Sequence, residues 1–429
     1  MVDHPKTLKV AIIGGGPAGL GAAIELSKRP FIDWTLYEKK PVISEISNGL
    51  TVQRNTWRML ERMGAARHIK ASDFFRPVNG HHTQHRLFSN GITGKLIYTS
   101  ASKTDGGPPH HEPCRMHRAK LQQALLKEVD QTRVLTGKKL VDIVQLPSKK
   151  IRITFQDGFV DEVDLLVGAD GIRSVVRRFA FPNHKISYTG ASSYRTLVRS
   201  SDALAINGLP REVIFWHGKD ANWVYTCPLG GDDFEITVRI KEPASVEHYS
   251  WGRKADPLHL RDSFADFCLP IQQLTDLVTD LQQFDYFAGP RLETLIGNEA
   301  VVLIGDASHP LSGAFGAGAG FALEDAFVLG AALEWAVANG GGLRDALSLF
   351  DDVRSPHYRE IYGVLDVIAQ QNAELAKRGL EVSQEIDARI GERWKSENDW
   401  MLYYDVSKLL SRWFGMLETD RITGRESVC

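Results

Sequence analysis

The chain has 429 residues, 43% apolar and 24% charged, with 38 Gly and 18 Pro. That is a globular composition with room for two or three domains, and it excludes a disordered or collagen-like chain. Lys plus Arg number 51 against 53 Asp plus Glu, a net charge of −2, so no broad basic surface exists to hold a nucleic-acid backbone.

In chain order, Leu8–Ile13 is a predicted strand, followed at once by Gly14–Gly15–Gly16–Pro17–Ala18–Gly19. A helical pattern comes next, with Leu20, Ala23, Ile24 and Ser27 on one face. Trp34–Tyr37 reads as a second strand ending at Glu38, which completes a βαβ opening. A helix is predicted from about Asn55 to Met63, stopping at Gly64, and another over Arg118–Val129. Thr104–Pro113 is loop by composition. From Ile151 the period changes to two: Ile151, Ile153 and Phe155 alternate, Asp157–Gly158 turns and Val160–Val167 returns, predicting a hairpin. Further strands are expected at Tyr194–Val198, Val213–His217, Trp223–Cys227 and Phe234–Ile240, and helices at Leu258–Cys268 and Ile271–Leu281. Ala300–Ile304 is a buried strand, Gly320–Ala338 a long helix, and the chain after Pro356 reads as helical to Leu417. The polar start is no signal peptide, and Glu324, Asp325 and Glu334 interrupt the apolar stretch Phe321–Ala338, so no transmembrane segment is expected. Cys114, Cys227, Cys268 and Cys429 lack CxxC or zinc-like spacing, which argues against a disulfide framework and fits a reducing, cytoplasmic setting.

Gly14-x-Gly16-x-x-Gly19, between a strand and a helix, is a dinucleotide-binding pattern. Gly14 permits the tight turn, Gly16 lets backbone approach a pyrophosphate, and Gly19 lets helix and sheet pack closely. The helix N-terminus then offers free N–H groups to the phosphates. Glu38, nineteen residues after Gly19, is placed to accept from a ribose hydroxyl. This motif does not choose between FAD and NAD.

Two later segments do. One is Asp164–Arg177 (DLLVGADGIRSVVR). The other is Leu303–Pro310 (LIGDASHP), continuing through Gly316-Ala-Gly318-Ala-Gly320 to Glu324–Ala326. With the glycine motif ahead of them, the chain resembles the single-component (group A) FAD-dependent aromatic hydroxylases of the salicylate and 4-hydroxybenzoate hydroxylase type. That family carries a dinucleotide motif, a DG motif and a GD motif in this order. Cys114–Arg118 also resembles the family's arginine-bearing stretch beside FAD. The resemblance covers roughly Leu8 to Leu365. It implies Gly14, Gly16 and Gly19 at the FAD pyrophosphate, Glu38 with neighbouring Lys39 at the adenosine ribose, and Arg118 along the FAD. It further implies Asp170 serving both FAD and a nicotinamide cofactor, and Asp306 at the ribityl or pyrophosphate region. Asp306 ends a buried strand, where a carboxylate needs a polyol or amides to satisfy it. Gly316, Gly318 and Gly320 would let the flavin ring approach backbone, with a helix N-terminus favouring negative charge at its N1–C2 edge. The chain departs from the family at Gly313, where a second proline is common, and at Arg54, a position often proline; Ser47–Asn48 precede Gly49.

The resemblance implies an α/β fold: a Rossmann-like FAD-binding domain, a mixed β-sheet substrate domain and a helical C-terminal segment. The expected division is 1–182 and 292–355 for FAD, 183–291 for substrate and 356–429 for the C-terminal helices. The implied activity is an FAD- and NAD(P)H-dependent monooxygenase that inserts one O₂ oxygen into a phenolic acid or related phenol through a flavin C4a-hydroperoxide. Oxidative decarboxylation or dearomatisation of the same substrates, a flavoprotein dehydrogenase or reductase that does not activate O₂, and a non-catalytic flavin-binding protein remain alternatives. Such a substrate reacts as a phenolate, so a cation or donor should face its oxygen. Arg195 is the candidate anchor and Tyr225 the candidate assistant. His217 is a weaker base candidate, and His309 is positional. The pairs His81–His82 and His110–His111 sit in polar loops without a metal-like set, so no metal is expected. Ile386, Ile390, Trp394, Met401, Leu409, Leu410 and Trp413 form a helical stripe that packs on the flavin domain or makes an interface; a monomer or homodimer is expected.

Overall fold

The structure is a computed structural model that describes residues 7–44, 48–77, 86–100, 107–243, 252–311, 314–393 and 400–423. It opens with β1 (Leu8–Ile13), α1 (Pro17–Ser27) and β2 (Ile32–Tyr37). β3 (Gly49–Val52), α2 (Arg54–Arg62) and the short β4 (Phe74–Phe75) follow, then β5 (Arg86–Asn90) and β6 (Leu96–Ser100). β7 (Cys114–His117) runs directly into α3 (Arg118–Leu126), and β8 (Val134–Leu135) leads to β9 (Leu140–Gln145), β10 (Ile151–Phe155) and β11 (Val160–Val163). β12 (Leu165–Gly168) and α4 (Val175–Ala180) precede the long β13 (Ser187–Arg199), the single turn α5 (Ser200–Ala203), β14 (Val213–His217), β15 (Trp223–Gly230) and β16 (Asp233–Lys241). Next come β17 (Arg253–Lys254), α6 (Pro257–Ser263), α7 (Leu269–Asp276), β18 (Gln282–Ala288), β19 (Ile296–Gly297) and β20 (Val301–Leu303). The helices α8 (Gly318–Ala338), α9 (Leu343–Ala376), α10 (Val382–Arg393), α11 (Trp400–Tyr403) and α12 (Val406–Thr423) complete the chain.

The cofactor half is built on a six-stranded sheet, order β19-β20-β12-β1-β2-β8, parallel except for β19. Its central strands are apolar on both faces because both faces are covered. Val10, Ile12, Leu165, Val167 and Val302 face the core that holds α1, α2, α3, α8 and α9. Ala11, Ile13, Leu166, Val301 and Leu303 face the three-stranded meander β11-β10-β9. This arrangement corrects one expected element. β10 and β11 do form the hairpin, but the return ends at Val163. Leu165–Gly168 leaves it to pair with β1 and β20, as a continuous Leu-Leu-Val run inside a parallel sheet should.

The second half is an eight-stranded sheet, order β17-β18-β13-β16-β15-β14-β5-β6, antiparallel except where β14 meets β5. It takes in the hairpin β5–β6 from the first third of the chain. Tyr194, Ile214, Trp216, Val224, Ile236 and Val238 bury one face against α6 and α7. The opposite face looks toward the cofactor half across the small sheet β3-β7-β4.

α9 extends back through Pro356 to Leu343. The C-terminal stripe packs inward: Ile386 and Ile390 of α10 bury against Phe88, Ile97 and Tyr98, and Met401, Val406 and Leu410 join the core beneath α8 and α9. Trp394 lies outside the described residues, as do His81, His82, Ser47, Gly313 and Cys429. Among the described residues, no helix is long and apolar enough to cross a membrane.

Candidate active site

The glycine turn divides its labour. Gly14 has φ +110°, and a Cβ there would stand 2.4 Å from the Ala169 carbonyl oxygen; at Gly19 it would stand 1.8 Å from the Gly14 oxygen. Those two glycines make the turn possible. Gly16 has an ordinary φ of −78°, and a Cβ there would meet nothing within 4 Å. It opens free ground before the N-terminus of α1, whose first turn has neither a side-chain cap nor an acidic residue. Unpaired helix N–H groups facing free space suit a pyrophosphate. Glu38, 8% exposed, lies against the turn: its Oε2 accepts from Gly15 N (2.7 Å) and its Oε1 from Lys40 N (2.8 Å). Lys39 stands exposed at the rim. Gln122 of α3, which the sequence did not single out, donates Nε2 to the Gly15 oxygen at 3.1 Å.

The DG and GD segments meet through one arginine. Arg177, 2% exposed, donates Nη1 to the carbonyls of Asp306 (3.1 Å) and Ala307 (2.8 Å), and Nη2 to that of Ile172. The Asp170 carboxylate caps α4, accepting from Ser174 Oγ, from Val175 N at 2.6 Å and from Val176 N at 3.3 Å. Asp306 departs from the expectation of a strand-end carboxylate. β20 stops at Leu303, the chain turns at Gly305, and the Asp306 side chain is exposed. It still lies deep between elements: desolvation pushes its pKa up, against the pull of Arg118 and then Arg177. An exposed carboxylate surrounded by protein marks the wall of a cleft. A Cβ on Gly318 would stand 3.8 Å from Asp306 Oδ1, and one on Gly316 3.6 Å from Thr51 Oγ1 of β3. Just before these glycines Phe315 holds a left-handed backbone, φ 63°, a strain of about 1–3 kcal/mol of the kind concentrated at functional sites. The buried acid of this region is instead Asp325 of α8, which accepts from Gly305 N (2.8 Å), Arg354 Nε (2.7 Å) and Tyr358 Oη.

The sheet face opposite this cleft carries the candidate substrate residues in a single cross-strand row. Arg195 of β13 pairs with Thr237 of β16, Thr237 with Tyr225 of β15, and Tyr225 with Phe215 of β14. Arg195 and Tyr225 therefore stand two strand spacings apart, about 9.5 Å. Arg195 is half-buried; its Nε reaches only Ser193 Oγ (3.4 Å) and its guanidinium lies over Phe284, 5.5 Å from the centroid. Among the described residues no carboxylate forms a salt bridge with it; burial pulls its pKa down, against the pull of Tyr286 and Glu235, and Arg118 and Arg115 add to the fall. Tyr225, 6% exposed, lies beneath the Arg115 guanidinium (4.8 Å) and edge-on to Phe215 (4.7 Å). Burial raises its hydroxyl pKa well above normal, so the hydroxyl keeps its proton and can offer it in a hydrogen bond.

Arg115, which lies in the Cys114–Arg118 stretch but had no role of its own there, and Glu235, which the sequence did not single out, join the two halves. Their side chains pair in a buried contact, Arg115 Nη1 donates to Thr51 Oγ1 (2.8 Å), and Glu235 Oε1 accepts from Gly49 N (3.2 Å) and Thr237 Oγ1 (3.0 Å). A charge inside an alternating strand was the available signal. His217 is walled in by Phe88 and Phe215, and burial drops its pKa to about 3, which removes it as a base near neutrality. His309 stacks on Tyr358 with centroids 3.6 Å apart, consistent with a positional role. The His110–His111 pair does not lack a carboxylate: Glu61 of α2, forty-nine residues before His110, lies against both rings. Sequence distance concealed it.

The family model for the FAD binding domain matches residues 7–362. The 2-heptyl-3-hydroxy-4(1H)-quinolone synthase of Pseudomonas aeruginosa is 32% identical over 75% of this chain and 80% of its own. Salicylate hydroxylase of Pseudomonas putida is 25% identical over 95% and 94%. Among solved structures, a salicylate hydroxylase substrate complex superposes with a TM-score of 0.76 at 22% identity, covering 94% of this chain and 97% of that one. Klebsiella pneumoniae HpxO complexed with FAD and uric acid gives 0.71 at 22% identity, over 95% and 96%. Glycine turn, DG–GD staple and opposed sheet face thus belong to one known architecture: the chain is a member of the FAD-dependent group A aromatic hydroxylases of the salicylate hydroxylase type, flavoprotein monooxygenases.

Proposed function

We propose that this enzyme is an NAD(P)H-dependent hydroxylase of a phenolic acid or closely related phenol, with Arg195 as its anion anchor. The observation that carries the reading is a half-buried guanidinium that makes no direct salt bridge among the described residues, in one row with an aromatic wall and facing the flavin cleft. Glu235 pairs directly with Arg115 and reaches Arg195 only through space, so a ligand anion would give this partly desolvated cation its direct partner. Relatives point the same way: their names specify salicylate, 6-methylsalicylate and 3-amino-4-hydroxybenzoate, all hydroxylated aromatic acids.

FAD, when bound, would supply the redox chemistry that couples oxidation of a nicotinamide nucleotide to hydroxylation by O₂, whose second oxygen leaves as water. Gly14, Gly16, Gly19, Glu38 and Lys39 would hold its adenosine end, and Arg118, Asp306, Gly316 and Gly318 its inner portion. Asp170 fixes the turn through which the nicotinamide would pass, by capping α4. Arg195 holds the acid or phenolate group, and keeps the phenol oxygen electron-rich by favouring its ionised form. Tyr225 offers a hydroxyl donor across the row, and Phe215 packs against the tyrosine ring to keep that end dry.

Screening phenolic acids for stimulated NAD(P)H oxidation and O₂ uptake tests the reading, and product mass separates hydroxylation from decarboxylation. Arg195→Ala should lower kcat/KM roughly ten- to a hundred-fold, the worth of an arginine–anion hydrogen bond of about 1.5–3 kcal/mol. Arg195→Lys should recover part, keeping the charge without the planar fork. FAD content should not change. Normal substrate binding in Arg195→Ala would reject the anchor.

A further inference from the structure

Away from the flavin cleft, α2 and the loop entering β7 bring three metal-ligating side chains together. Glu61, in the last turn of α2, stands 2.6 Å from His110 Nε2 through Oε1 and 2.8 Å from His111 Nε2 through Oε2. One donor atom from each of the three lies within 4.8 Å of the others. His111 is 5% exposed and both its ring nitrogens are buried; Nε2 has Glu61 as its one contact and Nδ1 has none. Nε2 meets the Glu61 carboxylate, while the other ring nitrogen, Nδ1, has no partner to fix the tautomer, so Nε2 is able to present its lone pair to an ion between the two groups.

The scaffold beneath is rigid. Arg54, 3% exposed, pairs with Glu112 from the first turn of α2. Arg76 Nη2 donates to the carbonyls of His110 (3.1 Å) and Glu112 (2.8 Å). These contacts fix both backbone flanks of the histidine pair, as the supporting groups of metal sites do.

We propose that Glu61, His110 and His111 form a site for one divalent transition ion of the zinc class, with its remaining position open to water. Two imidazole nitrogens and one carboxylate oxygen form a donor set of intermediate softness, which suits zinc, copper or nickel over magnesium or calcium. Zinc bonds of about 2.0–2.1 Å in tetrahedral geometry set donor atoms about 3.3 Å apart. The carboxylate must therefore withdraw slightly from both rings. Glu61 and His110 can do so, since their side chains are 41% and 63% exposed. The ion would fasten the last turn of α2 to the loop, complementing the Arg54–Glu112 pair at the first turn.

The test uses the full-length FAD-loaded protein, stripped with chelator and titrated with zinc chloride in a calorimeter. One zinc per chain should bind, and saturating zinc should raise the thermal midpoint. Glu61→Gln and His110→Ala should each weaken zinc binding more than about tenfold, with far-UV dichroism and FAD content unchanged. The exposed His110 keeps the test informative if His111→Ala fails to fold. Absence of zinc binding, or wild-type affinity in both Glu61→Gln and His110→Ala, overturns the proposal. Magnesium chloride should give no comparable heat; equal magnesium binding would overturn the donor-set argument.

Discussion

A single methyl group distinguishes the glycines of the first turn by role. At Gly19 an added Cβ lands 1.8 Å from a backbone oxygen, so Gly19→Ala must shift α1 against β1, with overpacking on the order of 1–3 kcal/mol or more. At Gly16 the same methyl meets nothing and finds an allowed φ. The lost helix-cap preference and the reduced unfolded-state entropy nearly cancel, leaving apo stability within about 1 kcal/mol of wild type. FAD binding should nevertheless weaken at least about tenfold in Gly16→Ala, because backbone must approach the pyrophosphate there. Apo-protein thermal midpoints and flavin titration read the two effects separately; unchanged FAD affinity would give the open ground another purpose. Glu324 offers a second test at this scale. It shares Arg354 with Asp325, and Asp325 holds the better set of donors. Burial pushes the Glu324 pKa from 4.5 to about 7, against the pull of Arg354. A raised carboxyl pKa means that the folded chain binds the extra proton, so its stabilising contribution is complete below about 4.5 and is lost as pH rises through about 7. Glu324→Gln should match wild type near pH 5 and be relatively more stable near pH 8. Urea unfolding at both pH values checks the sign; a constant difference would reject it.

Among the elements, α8 depends on α9 for its buried charges. Arg354 is fully buried and contacts Glu324 and Asp325, and Asp325 in turn holds Gly305 N at the GD turn. Arg354→Met should therefore cost about 3–5 kcal/mol, since it strands two buried carboxyl groups, and should loosen FAD by releasing the turn that carries Asp306. Denaturation together with flavin retention measures both; loss of stability with FAD affinity intact would make the network purely structural. The same elements show what the sequence could reveal. The βαβ opening, Gly64 as a helix stop and the strands Val213–His217 and Trp223–Cys227 follow from local periodicity and turn chemistry, and the structure has them. Local periodicity could not separate β12 from the hairpin before it, because a parallel interior strand and a hairpin return can both be short apolar runs. Nor could it show that Arg195, Thr237, Tyr225 and Phe215 share a row, since cross-strand register is a property of pairing. Arg177, Glu235 and Glu61 were given no role because their partners stand 49 to 186 positions away and only the fold brings them together.

At the scale of the whole molecule, the catalytic space lies between two halves whose cores are separate, so its shape depends on what fastens them. The face of the eight-stranded sheet toward the cofactor half carries a small buried apolar cluster, Val213, Tyr225, Cys227 and Leu229, packed with Phe75 of β4. Arg115 and Glu235 supply the polar fastening at its centre, 7% and 1% exposed. Burial would raise the Glu235 pKa, yet Arg115 holds it below the usual carboxylate range. Glu235→Gln leaves the guanidinium buried against a neutral amide and should destabilise by about 3–5 kcal/mol. The paired replacement Arg115→Met with Glu235→Leu removes both charges and should regain part of that loss. Recovery stays incomplete, because Gly49 N and Thr237 Oγ1 lose their acceptor at about 1–3 kcal/mol for each buried donor left unpaired. The substrate side should not recover with stability: Tyr225 loses the guanidinium stacked on its ring, the row beside Arg195 is no longer held against β3 and β7, and KM should stay raised in the double variant while FAD affinity stays near wild type. Urea denaturation of the two variants, with KM and flavin titration on each, separates fastening from positioning. If Glu235→Gln unfolds at the wild-type urea concentration, the halves are held by their apolar contacts and the ion pair has another role.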